Sequence, residues 1–195
     1  MAAKEDILEQ LVEDYLIHKG YFVQHNVKFK PSKYHPDFVS KYDSNDSDID
    51  VLAVHPLKSG PDSVWAVSCK SWQSGFSPQQ KIDQIVNNQI VSGREAWKSF
   101  RELVQPKWSS AFTTKVAEIT GSEEFTHVIA VSRIKGDKSA WEQYQPFMEA
   151  LGGQPLKLIS FEEMFREVSD NLTTTLASTE LGRTIQLLKA AKLIS

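Results

Sequence analysis

Residues 47–72, SDIDVLAVHPLKSGPDSVWAVSCKSW, hold two short apolar runs, Ile49–Val54 and Val64–Cys69, on either side of a compact turn. Both runs are apolar on both faces and rich in β-branched residues, the pattern of interior strands in a covered sheet. The intervening Leu57–Ser63 contains Gly60-Pro61-Asp62, a turn signal that makes the pair antiparallel. Asp48 and Asp50 lead the first strand, and Ser68-Cys69-Lys70 closes the second. Side chains alternate along a strand, so Asp48 and Asp50 are expected on one face with Ile49 and Val51 on the other. By the same rule Ser68 and Lys70 share a face and Cys69 points away.

The flanks supply the rest of an α/β pattern. Apolar residues recur at helical spacing from Lys4 to His18, with Gly20 as a stop, and Tyr21–Phe29 reads as a strand. Pro31–Asp46 is a polar, turn-rich loop. Ser77-Pro78 opens a long helix expected to run through Ile82, Ile85, Val86 and Ile90 toward Leu103 and to end at Pro106. Val116–Gly121 is ambiguous. Thr126–Ser132 is a buried strand, and Ser139–Leu151 a helix kinked at Pro146 and stopped by Gly152-Gly153. A short strand, Leu156–Ile159, precedes a helix through Val168, capped by Ser160 with Glu163 at capping-box spacing. Asn171–Ser178 is a polar linker before an amphipathic helix from about Thr179 to Leu193. This order predicts one α/β domain over residues 1–170, a central mixed β-sheet flanked by helices, with linker and C-terminal helix over 171–195.

Bulk properties narrow the class. At 195 residues, 41% hydrophobic and 24% charged, the chain is too apolar for disorder and suits one globular domain. A net charge of −3 gives no global basic field, so any nucleic-acid contact must use a local patch. The lone Cys69 excludes an intrachain disulfide or a cysteine zinc cluster and fits a reducing compartment. No signal-peptide pattern is visible, and no apolar run approaches the roughly 20 residues that span a bilayer. A cytoplasmic protein with no membrane contact is expected. The five histidines show no metal-ligand spacing.

A carboxylate heading one strand beside a lysine ending its neighbour suits metal-assisted phosphodiester cleavage. Mg²⁺ takes one or two protein carboxylates and keeps several waters, while a lysine stabilises developing negative charge or orients the nucleophile. The arrangement resembles the PD-(D/E)XK nuclease superfamily, the restriction-endonuclease-like fold, in its Mrr-like branch. The pieces that carry the resemblance are Glu9 on the first helix, Gly20-Tyr21-Phe22-Val23, Ile49-Asp50-Val51-Leu52-Ala53 and Val67-Ser68-Cys69-Lys70-Ser71-Trp72. HVIAVS through LKLISFEEMFREV follows as in that family. The resemblance implies a Mg²⁺- or Mn²⁺-dependent nuclease acting on DNA. Asp50 would be the principal metal ligand, Lys70 the catalytic lysine, Glu9 a helix-borne acid and the Cys69 backbone carbonyl a further ligand.

Ser68 departs from that pattern, which has Glu, Asp or Gln there. A serine hydroxyl is neutral and short. Either Asp48 or Glu9 compensates, or metal binding is weak, or cleavage is lost and a DNA-binding or interaction module remains. A Ser68–Lys70 nucleophilic pair is disfavoured, because a smooth buried strand supplies neither oxyanion hole nor strained turn. Pro36-Asp37 lacks a following apolar strand. Lys28, Lys30, Lys33, Lys41, Lys81 and Arg94 are candidates for DNA contact. Leu181, Ile185, Leu188 and Leu193 offer either a homodimer seam or a face that docks on the chain's own domain.

Overall fold

The computed structural model describes residues 6–172, 177 and 179–194. Its elements in chain order begin with α1 (Ile7–His18), β1 (Phe22–Phe29), α2 (Ser40–Asp43), β2 (Ser47–Val54), β3 (Val64–Lys70) and α3 (Pro78–Val86). A small hairpin, β4 (Ile90–Val91) and β5 (Arg94–Glu95), precedes two 3-10 turns, Ala96–Ser99 and Arg101–Leu103. Then come α4 (Pro106–Thr120), β6 (Thr126–Val131), α5 (Ser139–Glu142), α6 (Gln145–Ala150), β7 (Leu156–Ser160), α7 (Phe161–Asn171) and α8 (Glu180–Ala190).

Five strands form one mixed sheet in the order β1-β2-β3-β6-β7. The β1-β2-β3 meander is antiparallel, and β3-β6 and β6-β7 are parallel, so the expected α/β architecture is the one observed. Apolar residues on both sides of the central strands force both faces to be covered. One layer buries Val51, Ala53, Trp65 and Val67 with Leu11, Tyr15, Met164 and Ile185 from α1, α7 and α8. The other buries Ile49, Leu52, Ala66 and Ile129 with Phe100, Trp108, Phe112 and Trp141. Ser160 and Glu163 form the anticipated capping box, which fixes the sharp turn from β7 into α7.

The helical expectations between Ser77 and Leu151 need correction. The stretch from Ser77 toward Leu103 is not one helix: α3 stops at Val86, and Asn88 adopts a left-handed φ of 49°. Ser92 and Gly93, at φ 51° and 81°, form a two-residue turn with positive φ at both central positions, which favours a twisted hairpin over helix continuation. Pro106 does not end a helix; it starts α4 from the first-turn position, where its missing N–H has no consequence. The Ser139–Leu151 helix is split into α5 and α6, with Pro146 opening the second.

The C-terminal helix docks on the chain's own domain. Ile185 is buried and Leu181 packs beside it in the α1–α7 layer, while Leu187 and Leu193 stay exposed. Two members of the anticipated dimer seam are therefore already covered. Thr179 caps α8 and hydrogen-bonds to the buried Asp14 of α1, and the Leu181 amide donates to Gln10 Oε1 at 3.2 Å. The threonine-rich stretch 173–176, part of the expected linker, lies outside the described residues. No helix among the described residues is long and apolar enough to cross a membrane.

Candidate active site

β2 and β3 pair from Val54–Val64 down to Val51–Val67, and there their ladder ends. β2 continues back to Ser47 along β1, while β3 continues to Lys70 along β6, so the sheet forks between them. Asp50 sits at the fork. Its Oδ2 accepts the Cys69 backbone amide at 2.6 Å, satisfying a donor that the parting strands would leave without a carbonyl. Strand alternation breaks at this residue, contrary to the expected faces. Ile49 is buried in the Phe100–Trp108 layer and Val51 in the Tyr15–Met164 layer. Asn26, at the matching point of β1, has a φ of 54°. Asp50 thus reaches across toward β3 rather than standing on one face with Asp48.

Electrostatics around Asp50 are mixed. Burial raises its carboxyl above the ordinary value; the Lys70 charge and the Cys69 amide oppose this, and Asp48 and Glu102 add to it. The Lys70 charge thus acts on Asp50 from twenty positions along the chain. Lys70 Nζ also lies 5.9 Å from the centroid of the Phe100 ring. Burial of Ile49, Val51 and Leu52, about 1.5–3 kcal/mol for each large apolar side chain, offsets the desolvation of one carboxylate.

The remaining expected site residues are distributed around this pair. Ser68 is buried on β3, and Asp48 is ion-paired across the β1–β2 ladder with Lys28 at 2.8 Å. Glu9 is half-buried in the first turn of α1, close enough that its charge and that of Asp50, after burial, push the Cys69 thiol well upward. Cys69 packs against the α1 layer with its thiol neutral, so only its backbone faces the fork. Lys30 pairs with Asp46 at 3.3 Å, and Asp37 lies exposed in the loop before α2.

One buried acid gives no signal in the sequence. Glu102, on the turn before α4, lies with Oε1 3.4 Å from Nε2 of the fully buried His127 on β6. At that length the contact is electrostatic more than a well-formed hydrogen bond. Burial pushes the Glu102 carboxyl up, but His127 and the Lys70 charge outweigh it and leave the carboxyl below its ordinary value. Glu102 is hidden because Phe100–Val104 reads as the tail of a helix, and nothing local marks an inward-facing acid.

For a metal, the donor set at the fork is one buried carboxylate, Asp50, and the adjoining Cys69 backbone. Among the described residues no group of three or more His, Cys, Asp or Glu side chains converges as a metal site. A single carboxylate still fits Mg²⁺, which retains most of its waters, though it makes a weak site. No protein-family model matches the chain, and neither a curated protein nor a solved structure matches it. What bears on function is therefore the geometry of the fork.

Proposed function

We propose that this protein is a metal-dependent nuclease that hydrolyses phosphodiester bonds in DNA. The observation that carries the reading is the fork itself: a buried Asp50 hydrogen-bonded to Cys69, with the Lys70 charge acting on it. Asp50 and the Cys69 carbonyl would hold Mg²⁺ or Mn²⁺, which supplies Lewis-acid polarisation of a phosphoryl oxygen when bound. Lys70 stabilises negative charge on the phosphate, and Glu9 orients water from the α1 side. Cleavage of plasmid and linear DNA in Mg²⁺ or Mn²⁺, against an EDTA control, tests this. Wild type should cut while Asp50→Asn and Lys70→Ala lose at least about a hundredfold of rate, the scale of one electrostatic group in a transition state. Wild type and Lys70→Ala equally lacking cleavage would sink the enzyme reading.

A second reading is favoured by Ser68 and by the ion pair that occupies Asp48. With one carboxylate left, the same fold would bind DNA or a partner without cutting. Retained DNA binding in EDTA together with no turnover in either metal would select it.

A further inference from the structure

A cleft of about 770 Å³ lies past the end of β3, walled by the Trp72–Ser77 loop, α3, the β4–β5 hairpin and Lys135. Its lining holds three cationic residues, Lys81, Arg94 and Lys135, and no acidic one. That contrast is informative in a chain whose net charge is −3. None of the three forms an ion pair among the described residues, so each keeps its charge open to a ligand. Lys81 Nζ is half-buried, donates to Gln84 Oε1 at 2.7 Å, and rests 4.6 Å from the centroid of the Trp72 ring. Burial lowers its pKa, as expected of a cation short of a counter-charge.

The walls are fixed by backbone. Phe76 accepts from the Lys135 amide and donates to the Arg133 carbonyl, each at 2.7 Å, tying the loop to the segment that follows β6. Gly75, at φ +79°, permits the close approach: a Cβ there would lie 3.1 Å from the Arg133 carbonyl oxygen. Continuity with the fork runs through aromatic rings. Trp72 meets Phe100 edge-on at 6.0 Å, and the Phe100 ring in turn carries the Lys70 ammonium. Gln73, Gln80 and Gln84 add amides that donate and accept.

We infer that this cleft binds single-stranded nucleic acid, with Lys81, Arg94 and Lys135 on consecutive phosphates and Trp72 and the glutamines meeting unpaired bases. The assignment rests on the nuclease-fold reading for its location relative to Lys70, but binding itself needs no cleavage. Cationic side chains tracking a backbone beside an aromatic ring are what unpaired strands require, because only splayed bases offer ring faces and free edges inside a concave site. A phosphate would draw the Lys81 ammonium off the indole and uncover that face for stacking. A duplex presents only its phosphates to such a cleft.

Fluorescence anisotropy of a labelled single-stranded oligodeoxynucleotide in EDTA tests the inference. Arg94 and Lys135 are exposed, so Arg94→Ala/Lys135→Ala leaves the core intact. Affinity should fall on the order of tenfold, and the salt dependence should flatten by roughly 1.4 in log–log slope, the value for two phosphate contacts on a single strand. An Arg166→Ala/Lys115→Ala control removes the same charge elsewhere and should bind as wild type. Equal affinity in both double variants would overturn the cleft, and an equal loss for blunt duplex would overturn the single-strand assignment. Loss of binding in the cleft variant with no cleavage by wild type would refute the nuclease reading and leave this one standing.

Discussion

The Asp50 carboxylate holds the Cys69 amide at 2.6 Å at the point where β2 and β3 part. A backbone donor there would otherwise face an opening fork, so the carboxylate joins two strands and remains available on its other oxygen. This placement ties structure to chemistry: the interaction that organises the fork also fixes the acid within reach of the Lys70 charge.

Asp50→Asn should separate stability from activity. Burial raises the Asp50 carboxyl in the folded state, so ionising it at neutral pH disfavours the fold. The amide keeps an oxygen for the Cys69 N–H and removes the buried charge. Asp50→Asn should therefore gain about 1 kcal/mol in urea unfolding at neutral pH, within the range of stabilising single changes, while DNA cleavage is lost. The gain should shrink as pH falls through the raised folded value toward the ordinary carboxylate range, where wild type is also protonated. A loss of stability at neutral pH would show that the charge holds the fork.

Glu102 should show the opposite pH dependence. Its folded carboxyl lies below the ordinary value, so its contribution is present above the unfolded value and lost as pH falls through the folded one. Glu102→Gln removes the buried carboxylate beside His127 and should cost about 1–2 kcal/mol near neutrality, the scale of one interaction with a charged group. The difference from wild type should narrow on acidification. Urea midpoints across the carboxylate range provide the measurement, and a pH-independent difference would mean that packing rather than charge is at stake.

Lys107 on α4 anchors the Pro31–Asp46 loop. Its Nζ reaches the buried Asp43 carboxylate at 2.7 Å and the Asp37 carbonyl at 3.0 Å, and Asp43 in turn accepts the Val39 amide at 2.7 Å. Lys107→Ala removes the cation and strands Asp43. Limited proteolysis should then cut within this loop several-fold faster, with little change at other sites, because the loop has few buried apolar contacts of its own. Unchanged cleavage there would mean that Asp43 and the Val39 turn suffice.

These dependencies differ in how visible they are in the sequence. The apolar runs around Asp50 and Lys70 disclose the sheet, and Ser160 with Glu163 discloses a helix start, because each signal is local. α4 is hidden, since its buried Trp108, Phe112 and Val116 are spaced among serines and threonines of modest helix propensity. Ser92-Gly93 carries a hairpin signal that the helical spacing of Ile82, Ile85 and Ile90 masks. The fork at Asp50 is also illegible in detail. Alternation places Asp48 and Asp50 together, but a twist at Asn26 and Asp50 turns one toward Lys28 and the other toward Cys69. The Glu102–His127 pair joins residues whose proximity arises only from tertiary packing.

Gly182 tests the docking of α8. A Cβ added there would lie 2.6 Å from Ala177 Cβ and 2.6 Å from Asp14 Oδ2, closer than packed atoms tolerate. The helix approaches α1 this tightly because Thr179 both caps it, accepting the Gly182 amide at 2.9 Å, and binds the buried Asp14 carboxylate. Gly182→Ala improves helix propensity by up to about 1 kcal/mol, so the outcome weighs local preference against contact. Overpacking of about 1–3 kcal/mol should win, because the obstructing atoms are a buried carboxylate and a methyl group with little room to yield. Thermal stability should fall, and hydrogen exchange over Glu180–Ala190 should accelerate before the central strands do. A rise in stability would mean that α8 shifts along α1 without loss, and that the close approach at Gly182 is not what holds it.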